Sequence, residues 1–292
     1  MRRIAGFALV LLAACRSAPV SAPPPAAAAR QPIPHAVDAL LWSETAEEAR
    51  QLRRAVFASA TRALEAAVEE RSWSALGQGP EAAGLRPAVI VDIDETVLDN
   101  GPFEVRMARE GRRFDPAVWD AWVAAAVAMP VPGALEFARR ADELGVRVFY
   151  VTNRDAPEEE AGTLRNLEKV GFPLAPEVDT LFLRGERPEW TSDKTVRFAE
   201  IARDHRVLLL VGDDLNDFLS GMREASLAER RAKADAAASR FGISWFLLPN
   251  PLYGSWLRAL GDLESTGTEV EIRRRKLELL HAFEGTAPAS TP

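Results

Sequence analysis

Two carboxylates that end an apolar run are the feature that most constrains how this chain can fold. Residues 88–91 are all apolar, which predicts a strand buried on both faces and therefore a parallel sheet. Asp92 and Asp94 follow it. Alternate side chains of an extended backbone point the same way, so both acids can face one cavity at the carboxyl end of the sheet. Because clustered acids repel each other, the pattern indicates a hard cation such as Mg²⁺, the alternative being a solvated turn.

Two later strands are predicted to end in polar residues in the same way. Residues 146–151 are rich in β-formers and lead to Thr152, for which the plain alternative is a helix N-cap. The wholly apolar run 207–211 leads, through a glycine, to Asp213 and Asp217. These two acids are four residues apart, so a helical turn would place both on one side. The alternative is an acidic turn without a metal.

Lys194 is predicted to lie in the first turn of a helix, after N-cap candidates at residues 191–193. A cation there opposes the helix dipole, whereas an anion bound at the same helix end would reverse that argument. Only four of the 36 basic residues are lysines. Where arginine is the default base, a lysine at such a place indicates a need for a compact ammonium group. The alternative is a surface lysine at a helix start.

The stretch Val-Asp-Ile-Asp-Glu-Thr-Val-Leu-Asp-Asn at residues 91–100 resembles the first motif of the haloacid-dehalogenase-like (HAD-like) phosphatases. In this longer form it is similar to the motif of the bacterial lipoprotein acid phosphatases, also called class C acid phosphatases. Thr152, Lys194 and the Gly-Asp-x-x-x-Asp pattern at 212–217 match the later motifs of the superfamily in order. The resemblance implies an α/β fold, with a parallel Rossmann-like sheet flanked by helices and a small helical cap inserted after the first motif strand.

The resemblance also implies an enzyme, an acid phosphatase that hydrolyses phosphomonoesters through an aspartyl-phosphate with Mg²⁺ as cofactor. Asp92 would be the nucleophile, and Asp94 would protonate the leaving oxygen and then activate water. The residues that match catalytic positions are Asp92, Asp94, Thr152 and Lys194. Those expected at the metal are Asp92, Asp94 through its backbone carbonyl, Asp213 and Asp217. The role of Asp217 is open between direct ligation and orienting a metal-bound water or Lys194.

Residues 101–129 break the strand-helix alternation at the point where this superfamily inserts a substrate-covering cap. The insertion contains four large aromatic residues: Phe103, Phe114, Trp119 and Trp122. Trp119 and Trp122 share a helix face at a spacing of three. Core packing is favoured for Trp122, whereas packing and a binding role are equally supported for Trp119.

A late pattern, Leu-Pro-Asn-x-x-Tyr-Gly-x-Trp at residues 248–256, also resembles the acid-phosphatase family. Its tyrosine, Tyr253, would help to form the substrate pocket. Aromatic rings there could stack on a nucleobase or an aryl ring, which favours 5′-nucleotides and aryl phosphates as substrates. The expected substrate-binding residues are Asn153, Phe103, Trp119 and Tyr253.

The N-terminal residues are predicted to be a secretory signal and not part of the fold. Two arginines precede a short apolar run, and Leu-Ala-Ala-Cys at residues 12–15 resembles the lipobox of bacterial lipoproteins. Cys15, the only cysteine, would then carry a lipid that anchors the protein in the bacterial cell envelope, at the outer membrane, with the catalytic domain outside the cytoplasm. The expected divisions are a signal at 1–14, an anchor and Ala/Pro tether at 15–35, a phosphatase domain at 36–283 with its cap at about 101–130, and a flexible tail at 284–292.

The charge of the chain narrows its partners. The formal net charge is −7, and loss of the two signal arginines makes it −9, which argues against a nucleic-acid polymer. Small phosphomonoesters are the expected ligands, and the sequence leaves monomer and homodimer open. The alternative function is a non-catalytic surface lipoprotein, such as a haem or cofactor receptor. That alternative needs none of the motifs, and three histidines, one of them (His35) in the tether, give a haem site little support.

Overall fold

The computed structural model describes residues 34–261 and 268–280. The predicted signal peptide, Cys15 and the tail from residue 284 lie outside these ranges, as does most of the predicted tether. Within the ranges, no helix combines the length and the apolar character that crossing a bilayer requires.

A five-stranded parallel sheet forms the centre of the molecule, in the order β5-β4-β1-β6-β7. Its strands are β1 (Arg86–Val91), β4 (Arg147–Asp155), β5 (Leu181–Arg184), β6 (His205–Gly212) and β7 (Trp245–Leu247). β1 pairs with β4 on one side and with β6 on the other. The strand that leads to Asp92 is therefore central, and the predicted α/β fold with a parallel sheet is confirmed.

Helices cover both faces of the sheet. The helices of the described residues are α1 (Pro34–Thr45), α2 (Glu47–Glu69), α3 (Gly101–Arg109), α4 (Pro116–Ala125), α5 (Ala134–Glu143), α6 (Glu160–Val170), α7 (Thr195–Asp204), α8 (Leu227–Ala236), α9 (Ser255–Arg258) and α10 (Glu269–Glu278). The stretch predicted as one helical region at 35–71 is two helices, because the backbone is extended at Ala46. His35, which we assigned to the tether, lies in α1.

Alternate residues of β1 serve the two faces, as the pleat of a strand requires. Val89 and Val91 belong to one buried apolar cluster, together with side chains of α2, α5 and α6. Ala88 and Ile90 belong to a second cluster, together with side chains of α7. Both faces of the strand are thus out of water, which explains its unbroken apolar sequence and fixes the direction in which Asp92 leaves the sheet.

The insertion after β1 folds as two helices, α3 and α4, where short helices were expected. A two-stranded antiparallel ribbon, β2 (Leu98–Asp99) with β3 (Met129–Pro130), lies at its base. The start of α4 is fixed by Asp115, whose carboxylate accepts the N–H groups of Ala117 (3.0 Å) and Val118 (3.3 Å).

The cap is held closely against α6. A Cβ atom at Gly162 would lie 2.5 Å from the carbonyl oxygen of Val123, so a glycine is needed for α4 and α6 to approach. The amide of Asn166 donates to the carbonyl oxygen of Ala128 (2.8 Å) and accepts its N–H (3.0 Å), which fixes the chain after α4. Side-chain contacts and close packing therefore join this side of the cap to the core.

Candidate active site

Asp92 and Lys194 meet at the carboxyl end of β1. The N–H of Asp92 donates to the carbonyl oxygen of Val211 (2.9 Å), which continues the pairing of the sheet up to this residue. The ammonium of Lys194 is hydrogen-bonded to Oδ1 of Asp92 and lies 2.7 Å from Oδ1 of Asp217. Lys194 is only 2% exposed. It is therefore a buried cation between two carboxylates, and the alternative of a surface lysine at a helix start is excluded.

Burial and neighbouring charges set the ionisation of this pair. Burial raises the pKa of Asp92 to about 7; Lys194 opposes the rise, and Asp217 and Asp94 add to it. Burial alone would lower the pKa of Lys194, but the charges of Asp217 and Asp92 outweigh it, so this pKa lies above its ordinary value. The lysine therefore keeps its positive charge at neutral pH.

A short turn after β6 carries the second acidic group. Oδ2 of Asp217 accepts the backbone N–H groups of Asp213 (3.1 Å) and Asp214 (2.9 Å), which closes the 3₁₀ turn Leu215–Asp217. A Cβ at Gly212 would lie 2.5 Å from that same oxygen, which explains the glycine. The predicted turn therefore forms, and it brings both acids to one side.

The three carboxylates of Asp92, Asp213 and Asp217 offer oxygens that lie within 4.8 Å of one another. Three negative charges face one ammonium there, which leaves an excess of two. Burial, then the charges of Asp217 and Asp92, raise the pKa of Asp213 well above its ordinary value. A divalent cation would remove this repulsion, and oxygen donors suit a hard ion, so the residues fit a metal such as Mg²⁺.

The three acids are not equivalent as metal ligands. Both oxygens of Asp217 are already used, one by Lys194 and one by two backbone N–H groups. Among the described residues, the carboxylate of Asp213 contacts neutral donors: Asn250 Nδ2 at 2.7 Å and Thr96 Oγ1 at 3.3 Å. Asp217 is thus more fully engaged by cationic and backbone donors than Asp213 is.

Asp94 lies in a separate network. Its Oδ1 accepts Nδ2 of Asn100 (2.8 Å) and two nitrogens of Arg154, Nη2 (2.8 Å) and Nε (3.1 Å). Thr152 Oγ1 lies 3.5 Å from Oδ2. Thus two aspartates only two residues apart face different cations, Lys194 for Asp92 and Arg154 for Asp94.

Sequence reasoning missed Arg154, Asn100 and Asn250. A signal for Arg154 was present, because it follows Thr152 by two residues at the end of an extended strand, and alternate side chains point the same way. Asn250 lies within the late Leu-Pro-Asn pattern, but its contact with Asp213 spans 37 residues of sequence. Nothing local in the sequence indicated this contact of Asn250 with Asp213.

Asn153 points away from this network. Its Nδ2 donates to the carbonyl oxygen of Ser192 (3.0 Å), and its Oδ1 accepts Nη2 of Arg197 (2.7 Å). Both ends of the amide therefore hold the loop that leads to Lys194, which differs from the substrate contact we expected. The boundary of that helix also differs: α7 begins at Thr195, so Lys194 precedes its first turn.

The aromatic residues of the cap form one cluster. The ring of Trp119 lies 5.1 Å from that of Phe103 and 6.1 Å from that of Phe114, and the Arg154 guanidinium lies 5.4 Å from its centre. Phe103 is 1% exposed and packs against Trp119, so its ring is not open to a ligand, which differs from the substrate contact we expected. Phe114 is 62% exposed and is the open ring of the cluster.

Trp122 and Tyr253 occupy different settings. Trp122 packs against the core and donates its indole N–H to Oδ1 of Asn100 (2.8 Å), so it combines packing with a polar contact. Tyr253 is half-buried and follows Asn250, whose Oδ1 accepts the N–H of Leu252 (2.9 Å). Because Asn250 also contacts Asp213, the turn that carries Tyr253 is tied to the acidic group.

Aspartates at the ends of two adjacent parallel strands, with a lysine from a third segment between them, are the arrangement expected of a HAD-like protein. The chain belongs to the HAD superfamily, subfamily IIIB (acid phosphatase), because the model of that family matches residues 27–256. The resemblance inferred from the motifs is thereby confirmed.

Solved structures and characterised proteins give the same picture. The chain is similar to the class C acid phosphatase from Bacillus anthracis, with 29% identity, a TM-score of 0.72, and coverage of 86% of this chain and 99% of that one. A second structure of that enzyme, with tungstate bound, is 28% identical at the same TM-score and coverage. Acid phosphatase 1 of Solanum lycopersicum is 27% identical over 172 residues, 58% of this chain and 59% of that protein. The stem 31 kDa glycoprotein of Glycine max is 26% identical over 168 residues, 56% and 58% of the two chains. The match thus spans under two thirds of these two plant proteins.

Proposed function

We propose that this chain is a Mg²⁺-dependent acid phosphatase that hydrolyses phosphomonoesters through an aspartyl-phosphate intermediate. The observation that carries the proposal is the buried pair of Asp92 and Lys194 beside the acidic turn, with Asp94 held apart by Arg154. Membership in subfamily IIIB supports it, as does the similarity to class C acid phosphatases. Tungstate, which one of those relatives binds, is a tetrahedral oxyanion like phosphate. The same membership favours a phosphatase over a non-catalytic receptor.

In the first step, a carboxylate oxygen of Asp92 attacks phosphorus, and the bond from phosphorus to the leaving oxygen breaks. Asp94 gives its proton to that oxygen, so the alcohol leaves neutral. Lys194 stabilises the charge on the phosphoryl oxygens, and the hydroxyl of Thr152 donates to one of them. The products of this step are an alcohol and a phosphorylated Asp92.

In the second step, Asp94, now a carboxylate, takes a proton from water as the water oxygen attacks phosphorus. The bond between phosphorus and the Asp92 oxygen breaks, which releases inorganic phosphate and restores the carboxylate. Asp94 is then protonated again and ready for the next substrate.

Asp92, the backbone carbonyl of Asp94 and Asp213 would hold the metal, with Asp217 orienting Lys194. When bound, Mg²⁺ would offset the repulsion between the carboxylates and the incoming phosphate dianion. The protein adds the positive charge of Lys194, whose ammonium is kept charged by two acids.

We propose nucleotides and aryl phosphates as the substrate class. Phe114 is an exposed ring beside Trp119, and the turn of Tyr253 is tied to the acidic group through Asn250. Rings at the mouth of the site would stack on the leaving group while the phosphate binds at Asp92 and Lys194. A small alkyl phosphate would lack that contact.

The test of the proposed function is phosphate release from a panel of nucleoside monophosphates, aryl phosphates and alkyl phosphates, with Mg²⁺ and after chelation. We expect turnover of the panel that is lost on chelation and restored by Mg²⁺. Trapping of phosphate on Asp92 in a rapidly quenched reaction would support the covalent intermediate. Full activity after metal removal, or no release from any substrate, would overturn the proposal.

We further propose that Cys15 anchors the protein to the outer membrane of a bacterial cell envelope, on the basis of the Leu-Ala-Ala-Cys pattern. Cys15→Ser should move the protein from the membrane fraction to the soluble fraction and leave its specific activity unchanged. Retention of the variant in the membrane fraction would contradict the anchor.

A further inference from the structure

The two oxygens of Asp94 are in unequal surroundings. Three donor groups converge on Oδ1: Nδ2 of Asn100 at 2.8 Å, and Nη2 and Nε of Arg154 at 2.8 and 3.1 Å. Within the described part of the chain, Oδ2 meets two donors at longer distance, Nε of Arg154 at 3.4 Å and Oγ1 of Thr152 at 3.5 Å. These two lie beyond the usual range of a strong hydrogen bond.

This inequality decides where a proton can sit. A guanidinium has only donors, and the amide nitrogen of Asn100 is also a donor. A proton on Oδ1 would therefore point at other N–H groups and find no acceptor among them. A proton on Oδ2 avoids that conflict, and Oδ2 is the oxygen on the side of Thr152, the hydroxyl proposed to bind phosphate.

Each donor to Oδ1 is itself held by the cap helix α4. The indole N–H of Trp122 donates to Oδ1 of Asn100 (2.8 Å), which fixes the amide so that its nitrogen faces Asp94. Trp119 lies 5.4 Å from the guanidinium of Arg154, whose Nη1 also donates to Oγ1 of Thr163 (2.9 Å). The shared helix face of the two tryptophans thus reaches both residues that hold the acid.

We propose that Arg154 and Asn100 are positioning residues that reserve Oδ2 of Asp94 for proton transfer, and that Trp122 on the cap fixes this choice. The proposal rests on the proposed phosphatase function and deepens it. In the first step the proton leaves Oδ2 for the leaving oxygen, and in the second step the same oxygen takes the proton from water. The cap would then serve the chemistry as well as cover the substrate.

The experiment compares two substrates in the full chain with Mg²⁺: p-nitrophenyl phosphate, whose leaving group is stable as an anion, and glycerol phosphate, whose leaving group needs a proton. One variant is Trp122→Phe, which keeps an aromatic ring but removes the indole N–H donor. The other is Arg154→Lys, which keeps the positive charge but removes the planar set of guanidinium donors. The comparison uses kcat/KM, which reports the step that releases the alcohol, because the second step is common to both substrates. Since a small misplacement of a catalytic group costs up to about 10²-fold, kcat/KM for glycerol phosphate should fall by roughly ten- to a hundred-fold. The fall for p-nitrophenyl phosphate should be several times smaller, because its leaving group needs less help from the acid.

Trp73→Phe is the matched control. Its indole N–H is likewise a hydrogen-bond donor, here to the carbonyl oxygen of Leu208 in β6 at 2.9 Å, and Trp73 lies after α2 and not in the cap. It should change kcat/KM of both substrates by the same small factor. Trp122→Phe keeps the test open if Arg154→Lys fails to fold, because a Trp-to-Phe change retains most of the packing.

The outcomes separate the two proposals. Equal falls in kcat/KM on both substrates in Trp122→Phe would overturn the positioning role while leaving the phosphatase intact. A wild-type protein that releases no phosphate from either substrate would overturn the proposed function itself. A loss of kcat/KM that is selective for glycerol phosphate in Trp122→Phe and absent in Trp73→Phe would support the inference.

Discussion

Two groups of proposed site residues are held in different ways. Backbone hydrogen bonds position Asp92 and Asp217 at the carboxyl end of the sheet, whereas side-chain contacts orient Asn100 and Arg154 beside the cap. Asp92 is still paired with β6 through its own N–H, and Asp217 is fixed by two backbone N–H groups. The side chains of Asn100 and Arg154, by contrast, are oriented by contacts with an indole nitrogen, a hydroxyl and the face of a ring. A substitution at the carboxyl end of the sheet should therefore change the reaction without changing the fold. A substitution in the cap should change the positions of the side chains that surround Asp94.

The first prediction concerns Asp92 at the carboxyl end of the sheet, where the largest effect is expected. Asp92→Asn should lower kcat by more than about 10³-fold, because it removes the nucleophile and a proposed metal ligand together. The melting temperature should stay close to that of the wild type, because the backbone pairing is unaffected. A steady-state assay and a thermal melt measure the two quantities. A large loss of stability would contradict the idea that backbone hydrogen bonds hold Asp92 in place.

The second prediction separates the two aspartates. Asp94→Asn should lower kcat by roughly 10²–10⁴-fold, the usual contribution of general acid–base catalysis. Metal affinity, measured by titration calorimetry, should remain, because the proposed contact is a backbone carbonyl. Near-normal turnover in this variant would refute the assignment of Asp94, and lost metal binding would mean that its carboxylate is a ligand.

The third prediction tests the cap through a half-buried acid, Glu104 on α3. Burial raises the pKa of Glu104 from 4.5 to about 7, so the folded protein resists ionising it. Below pH 4.5 the group is protonated in both states and has no effect. As the pH rises towards 7 only the unfolded state ionises, so stability falls, and above 7 the penalty is complete.

Glu104→Gln should therefore stabilise the protein by up to about 3 kcal/mol at pH 8 and leave it unchanged at pH 4, since one pKa unit corresponds to about 1.4 kcal/mol. Glu110→Gln, also in the cap, is the control: hydrogen bonds from Arg106 and Arg112 lower the pKa of Glu110. That variant should gain nothing at pH 8. Urea unfolding at the two pH values makes the measurement, and a gain for Glu104→Gln at pH 4 as well would exclude ionisation as its cause.

The same contrast explains what the sequence could and could not predict. Asp92, Asp213 and the parallel sheet follow from apolar runs that end in acids, because burial on both faces fixes the direction of each strand. The partners of Asp94 do not follow, because Arg154 is 60 residues away in sequence and Asn100 depends on an indole from α4. Phe103 was misplaced for a similar reason: its pattern in α3 predicts a ring near the site but not which neighbours cover it.

The final prediction, with the smallest effect, concerns the rings at the mouth of the site. Phe114→Ala and Tyr253→Ala should each raise KM for a nucleoside monophosphate by about two- to ten-fold, since a stacked ring contributes roughly 0.5–1.5 kcal/mol. Glycerol phosphate should be spared, because it offers no ring. Trp119 is a poorer choice for this test, because its loss would also disturb Arg154.

Ile243→Ala is the control for loss of an exposed apolar side chain. Ile243 is 56% exposed and lies before the amino end of β7, away from the carboxyl end of the sheet that carries the site. It should leave KM unchanged for both substrates. If Phe114→Ala raised KM equally for the nucleotide and for glycerol phosphate, its ring would support the shape of the cap and would not bind the leaving group. The cap would then act on the reaction only by orienting side chains of the site, which is the role proposed above for Trp122.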